Sequence, residues 1–310
     1  MNSPLIRKIS RQNLDEIKYN NCLQNAINYQ VYAEIWYLDI VAEKKWDCLI
    51  YGDYEVIMPL PFQYFLFIKF ITLPPFCQQL GLFYNTTITD SVFNHFITYI
   101  KSKRVRGYTF NHHNVNNHPF IGNKCKNHIL SIDNPAEVII QKFARDRKRE
   151  LKKSEQLKGN IQVSQNINMF FSLIANEYNY VRKNKHYALL RTIITSIQKN
   201  NVGFLLEYSI QDIQCNYRLI LKNKNKFIIL ASARKKEKLY NSTSTAIIVH
   251  LIKNNSPEIK YLDFEGSDLS GVAAFNESLG AKPEFYTFYK NSFSHDKLLN
   301  IYNKFLRLKL

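Results

Sequence analysis

Glycine and proline are scarce, 9 of each in 310 residues, which excludes collagen-like and Pro/Gly-rich disordered classes. Cysteine is scarce as well: Cys22, Cys48, Cys77, Cys125 and Cys215 are scattered, odd in number and without CxxC spacing. Neither a disulfide framework nor a zinc knuckle follows, and a reduced, cytoplasmic protein is expected. The N-terminus, MNSPLIRKISRQNLDE, lacks an apolar signal core. A long uninterrupted apolar run is missing too. The most apolar window, Val56 to Phe76, carries Pro59, Pro61, Pro74, Pro75, Gln63 and Lys69, which argues for strands and against a spanning helix. Peripheral membrane contact is compatible with it.

Acidic residues are outnumbered, 25 Asp+Glu against 42 Lys+Arg, for a formal net charge of +17. An anionic partner is one reading; a compositionally biased, Lys- and Asn-rich sequence is the plainer one. What is abundant is apolar and aromatic material, 45% hydrophobic with 20 Tyr and 21 Phe. That is enough for a sizeable core, in about two domains by length.

Periodicity orders the second half. It reads as strand Ile161–Ser164, helices Met169–Val181 and His186–Lys199, and strands Gly203–Ser209, Ile213–Leu221 and Phe227–Ala233 with Gln-Asp and Asn-Lys-Asn turns. Helix Thr245–Lys253 follows behind Ser242, Thr243 and Ser244, then strand Ile259–Phe264, helix Ser270–Leu279 closed by Gly280, and strand Glu284–Lys290. Such an order closes into an α/β mixed sheet with helices on both faces. The first half repeats part of it: a helix near Tyr29–Ala42, hairpin Asp47–Leu60 turning at Gly52-Asp53, strand Ile68–Leu73, helix Asp90–Lys101 and strand Gly107–Asn111. The stretches Tyr84–Thr89 and Tyr240–Thr245 echo one another, so an internal duplication is expected, with domains 1–133 and 134–310. The second opens with a basic helix over 135–158, which holds eight basic residues and four acids between Pro135 and Asn160. Arg145, Arg147 and Arg149 present either a solvated face with i,i+4 pairs or an anion-binding edge.

In KYLDFEGSDLSGVAAFNESLGA, Lys260 to Ala281, alternation along Tyr261–Glu265 places Asp263 and Glu265 on one face. Two close carboxylates raise one another's pKa and suit a general base; equally, they could pair with the basic helix. The histidines of NHHNVNNHPF, with His128, lack a carboxylate or Cys at ligand spacing, and no metal is expected. Tyr217 and Tyr240 are candidate stacking or acidic groups, or packing.

The element order and the helix-closing run Phe275–Ala281 resemble the GNAT acyltransferase fold. Two such units joined by the basic R-x-R-K-R-E-L-K-K stretch resemble the Fem-type branch. The D-F-E-G-S run, Asp263–Ser267, and the stretch Trp36–Pro61 are similar to related bacterial acetyltransferases. The resemblance implies transfer of an acyl group from a carrier, acetyl-CoA or another acyl-CoA, to a small-molecule or peptide amine. It assigns the first unit to a structural or acceptor-binding role. It implies cofactor contacts at Ser232, Ala233, Arg234, Ser242, Thr243, Ser244 and Asn276, substrate or anion contacts at Arg145, Arg147, Arg149, Tyr217 and Tyr240, and catalysis at Glu265 and Asp263. The pyrophosphate loop of CoA users, R/Q-x-x-G-x-G/A, corresponds here to Arg234–Ser244, which contains no glycine, and Asn276 stands where many relatives carry Tyr. Alternative functions are Fem-type aminoacyl transfer from tRNA to a cell-wall precursor and an inactive anion-binding protein.

Overall fold

The computed structural model describes residues 6–118, 122–177, 184–266 and 269–291. The expected C-terminal end of helix Met169–Val181, Ser267 of the D-F-E-G-S run and Pro119-Phe120 of the His-rich stretch lie outside the described residues. The chain divides into two compact units, residues 1–125 with 285–310, and residues 126–284. The expected boundary at 133 is a cut in sequence; in space the first unit takes back the chain from Phe285.

The first unit runs β1 (Arg7–Ser10), α1 (Glu16–Asn25), α2 (Ile35–Val41), β2 (Trp46–Tyr51), β3 (Val56–Phe65), β4 (Ile68–Thr72), β5 (Phe83–Tyr84), α3 (Asp90–Lys101), β6 (Val105–Phe110) and α4 (His112–Asn117). Its sheet is ordered β1-β2-β3-β4-β6, with β5 on β3. All these pairs are antiparallel except β4 with β6. The helix expected over Tyr29–Ala42 is shorter, because Val31–Ala33 form a 3₁₀ turn before α2 starts at Ile35. The hairpin and the helix Asp90–Lys101 form as expected.

In the second unit come β7 (Asn123–Ser131, in this unit from Lys126), α5 (Ala136–Gln141), α6 (Arg145–Gln156), β8 (Asn160–Val163), α7 (Ile167–Glu177), α8 (Asn184–Lys199), β9 (Gly203–Ile210), β10 (Ile213–Asn223), β11 (Lys226–Arg234), α9 (Thr243–Lys253), β12 (Tyr261–Gly266) and α10 (Ser270–Ser278). Strand β13 (Lys282–Tyr289) follows, and its Thr287–Tyr289 pair with β6 of the first unit's own sheet. The second sheet is ordered β7-β12-β11-β10-β9-β8. Its meander turns at left-handed residues, Gln211 and Asp212 (φ 47° and 65°) and Lys224 (φ 53°), all of them polar.

Helix α9 is apolar nearly all round because it is covered on two sides. Ile247, Ile248, Val249, Leu251 and Ile252 share one cluster with Ile220, Ile229 and Leu262 of the sheet and with Ile139 and Phe143. The basic helix expected over 135–158 is two helices. Ala144 is extended at the start of α6 (φ −59°, ψ 156°) and its N–H donates to Ser278 O at 2.8 Å, which lets Phe143 turn into the core. The break is therefore an anchoring device.

Gly203 opens β9 where a Cβ would stand 2.1 Å from Ile220 O and 2.8 Å from Ile197 Cγ2. Backbone cannot yield there, so Gly203→Ala is expected to destabilise by about 1–3 kcal/mol or more, read as a lowered denaturant midpoint at unchanged m-value.

Candidate active site

Parallel strands β11 and β12 are paired over Lys226–Ile228 against Tyr261–Asp263, and beyond that point the register ends and the strands fork. Two local features shape the fork. Leu230 is an extra residue of β11, since Leu219 faces Ala231 while Ile220 faces Ile229. On β12 the register against β7 jumps between Asp263 and Gly266, and Glu265 lies in the left-handed region at φ 58°.

Asp263 makes that second irregularity. Its Oδ1 accepts from the Glu265 N–H at 2.9 Å and from Asn127 Nδ2 at 2.9 Å, and the residue is 3% exposed. A side chain bonding the N–H two residues on is the usual way Asp stabilises a turn. The expectation that both carboxylates share one face by simple alternation is thus corrected: the bulge rotates Glu265 out of the pleat. Asp263 holds the backbone beneath it.

The fork contains a cavity of about 500 Å³ lined by β11 from Ile229 to Ser232, β12 from Phe264 to Gly266, Ser244 and Ile248 of α9, Leu269 and four residues of α10, and Arg218. Of the sequence-derived candidates it brings together Ser232, Ser244, Glu265 and Asn276. Arg218 is the residue that sequence reasoning missed. It is 7% exposed, stands opposite Ser232 in register, and donates from Nη1 to Asn216 Oδ1 and Tyr217 O and from Nη2 to Ser244 Oγ at 3.1 Å. The signal was present: one cation in the otherwise apolar strand run Tyr217–Leu221.

At the start of α9 the hydroxyls of Thr243, Ser244 and Thr245 have internal partners. Thr243 Oγ1 donates to Tyr240 O at 2.6 Å and accepts from Asn216 Nδ2 at 2.8 Å; Ser244 Oγ accepts from Asn216 and Arg218. Thr245 Oγ1 donates to Glu150 Oε2 at 2.8 Å, and the same oxygen meets Arg147 Nη1 at 2.7 Å. A carboxylate therefore stands beside the first turn. Ser242 borders a different cavity of about 500 Å³, together with Glu150, Lys153 and Lys238.

The remaining candidates fall outside the fork. Tyr217 alternates with Arg218 and points to the opposite face, fully buried, with its ring 5.9 Å from Phe170 and its hydroxyl donating to Glu207 Oε2 at 3.3 Å; burial first, then the carboxylate, push its phenol well above the usual range. Ala233 is buried, Arg234 donates to Lys235 O and Asn241 Oδ1, and the Tyr240 ring lies 5.8 Å from Lys235 Nζ. Arg145 and Arg149 are exposed. Arg147 lies over the Phe275 ring at 5.1 Å and also meets Asp146 at 3.0 Å. Phe275 lines the fork, so Arg147 supports its wall from behind. Among the described residues no group of three or more His, Cys, Asp or Glu is gathered to hold a metal.

In the first unit the parallel pair β4 and β6 is closed by chain. The segment Leu80–Leu82 is stitched to β6 and α4: Leu80 N–H donates to Thr109 Oγ1, Asn111 Nδ2 to Leu80 O, and Leu82 N–H to Asn114 Oδ1, at 3.2, 2.9 and 2.9 Å. The Thr109 and Asn111 side chains are consumed by these bonds.

No family model matches the sequence, and no curated protein matches it. Solved structures do. FemX aligns with a TM-score of 0.64 at 10% identity, over 94% of this chain and 99% of that one. A protein of unknown function from Bacteroides thetaiotaomicron gives 0.57 at 7%, over 92% and 99%. The C-terminal domain of a protein described as a lysylphosphatidylglycerol synthetase, from Agrobacterium fabrum, gives 0.52 at 5%, over 92% and 95%. Identity this low speaks to fold alone. The mixed-sheet, Fem-type fold that the sequence leads one to expect is the fold the chain has.

Proposed function

We propose that the second unit is an acyltransferase whose acyl group sits in the fork between β11 and β12, that the donor is an aminoacyl ester of the kind carried by tRNA, and that the acceptor is a primary amine. The observation that carries this reading is the composition of the cavity. One wall offers a cation and a hydroxyl, Arg218 and Ser244; the other offers a carboxylate, Glu265. Attack of an amine on an ester carbonyl needs both. The nitrogen adds to the carbonyl carbon and Glu265 takes its proton. Arg218 and Ser244 hold the oxygen as it becomes negative. The C–O bond then breaks, and the sugar oxygen leaves with the proton that Glu265 returns to it as the amide forms.

The choice of donor rests on α9. A CoA pyrophosphate needs free N–H groups at a helix start that its backbone can approach. Here glycine is missing between Arg234 and Ser244, and the Thr243 and Thr245 hydroxyls already donate to Tyr240 O and to the Glu150 carboxylate, itself paired with Arg147. An aminoacyl ester makes no such demand. The names FemX and lysylphosphatidylglycerol synthetase, the second with an aminoacyl group in it, agree with this reading, and a charge of +17 suits RNA phosphates. The closed first unit would then serve as support or as the seat of a peptide acceptor such as a cell-wall precursor. A tRNA-dependent reaction would place the protein in the cytoplasm.

The test offers the full chain acetyl-CoA and aminoacyl-tRNA in parallel. Salt-sensitive binding of aminoacyl-tRNA, with deacylation accelerated by added peptide amines, is expected, and acetyl-CoA should leave the melting temperature unmoved. Stabilisation by acetyl-CoA without tRNA binding would overturn the choice of donor. No response to either would overturn the enzyme and leave an anion-binding protein.

A further inference from the structure

The β3–β4 hairpin is closed by Leu66 and Phe67, both left-handed at φ 46° and 65°. A two-residue turn of this kind favours Asn-Gly, and a bulky side chain there is strained. The fold gets no core packing in return. Phe67 is 99% exposed, Leu66 54% and Tyr64 61%. These three neighbours make an apolar tip that projects into solvent.

Beside the tip lies a cavity of about 870 Å³, and Phe67 and Ile68 form part of its lining together with Lys8, Lys69, Lys103 and Arg104. Its single acid, Asp47, is 6% exposed and already occupied, with Lys69 at 2.6 Å and Lys8 at 3.5 Å. Four cations against one carboxylate leave three positive charges around the space. Lys103 and Arg104 are exposed.

We propose that this hairpin docks the protein on an anionic phospholipid surface, with Leu66 and Phe67 in the boundary between headgroups and acyl chains and the cavity taking a headgroup phosphate. Apolar side chains beside a basic rim are the chemistry that such an interface selects, and each nearby Lys or Arg adds to the attraction of an anionic leaflet. A second copy of the chain fits less well. Two aromatic side chains of about 150–250 Å² each and one leucine fall short of the roughly 800 Å² that each partner of a stable dimer buries.

Vesicle sedimentation with the full chain tests this. Vesicles of phosphatidylglycerol and phosphatidylcholine in equal parts should bind the protein, and phosphatidylcholine alone should not. Leu66→Asn/Phe67→Gly, which supplies the residues the turn prefers and so keeps the fold, should weaken binding at least about tenfold. Lys103→Glu/Arg104→Glu should weaken it by a similar factor and flatten its salt dependence. A Phe67→Trp variant should show fluorescence quenched by brominated acyl chains. Equal sedimentation of the tip variant and the parent would reduce the interaction to non-specific charge and overturn the proposal. So would competition by inorganic phosphate as strong as that by vesicles, which would assign the cavity to a free anion. Loss of concentration-dependent dimerisation in the tip variant, without vesicle binding in the parent, would also sink it.

Discussion

Arg218→Met is expected to lower kcat for acyl transfer by about 10²–10³-fold, the usual cost of removing one donor from an oxyanion site. The guanidinium is held by Asn216 Oδ1, Tyr217 O and Ser244 Oγ before substrate arrives, so it is pre-organised and needs no rearrangement as charge develops. Methionine keeps the length and apolar stem of the side chain while deleting the cation. The variant also strips bonds from buried Asn216, which has a structural cost of about 1–3 kcal/mol. That cost appears in the melting temperature and the catalytic loss appears in kcat, so the two separate. Arg218→Lys supplies the control: it retains a charge but cannot span the same acceptors, and its activity should fall between those of the parent and Met. If Met and parent turn over alike, Arg218 serves the strand alone and the proposed polarising wall is gone.

Much of the fold was legible because each element carried its own period. Helix Asp90–Lys101 and the β9–β10–β11 meander are local patterns bounded by turn residues, and they lie where the letters place them. What escaped depended on contacts between distant residues. The break at Ala144 exists because Phe143 finds the core and Ser278 O finds an N–H. Strand β7 was hidden by the polar composition of its start, Asn-Lys-Cys-Lys-Asn-His, and shows itself only where Asn127 and Ile129–Ser131 find partners on β12. At the site, Glu265 and Ser244 were visible as types in a pattern. Arg218 stands 47 positions before Glu265 in sequence, and only the fork brings both to one cavity. The simple alternation rule failed at Glu265 for a reason written two residues earlier, since Asp263 can bond the N–H that a regular strand would present elsewhere.

That pairing of adjacent acids sets up opposite outcomes for two conservative changes. Glu265→Gln removes a base and leaves the amide to fill the same volume at the cavity wall, so turnover should drop about 10²-fold or more with little change in melting temperature. A plot of log kcat against pH should lose its acidic limb in this variant. Asp263→Ala should do the reverse at first sight, destabilising by about 1–3 kcal/mol, because Asn127 Nδ2 and the Glu265 N–H lose a buried acceptor. Its catalytic loss then comes indirectly: without that acceptor the left-handed Glu265 relaxes toward the ordinary strand region and the carboxylate leaves its place. Asp263→Asn keeps one oxygen for the Glu265 N–H and should retain the pH profile of the parent at reduced turnover, which a base at position 263 would not allow. An Asp263→Asn enzyme that had lost the acidic limb, beside a Glu265→Gln enzyme that kept it, would exchange the two roles and move the proton acceptor from the cavity wall into the strand.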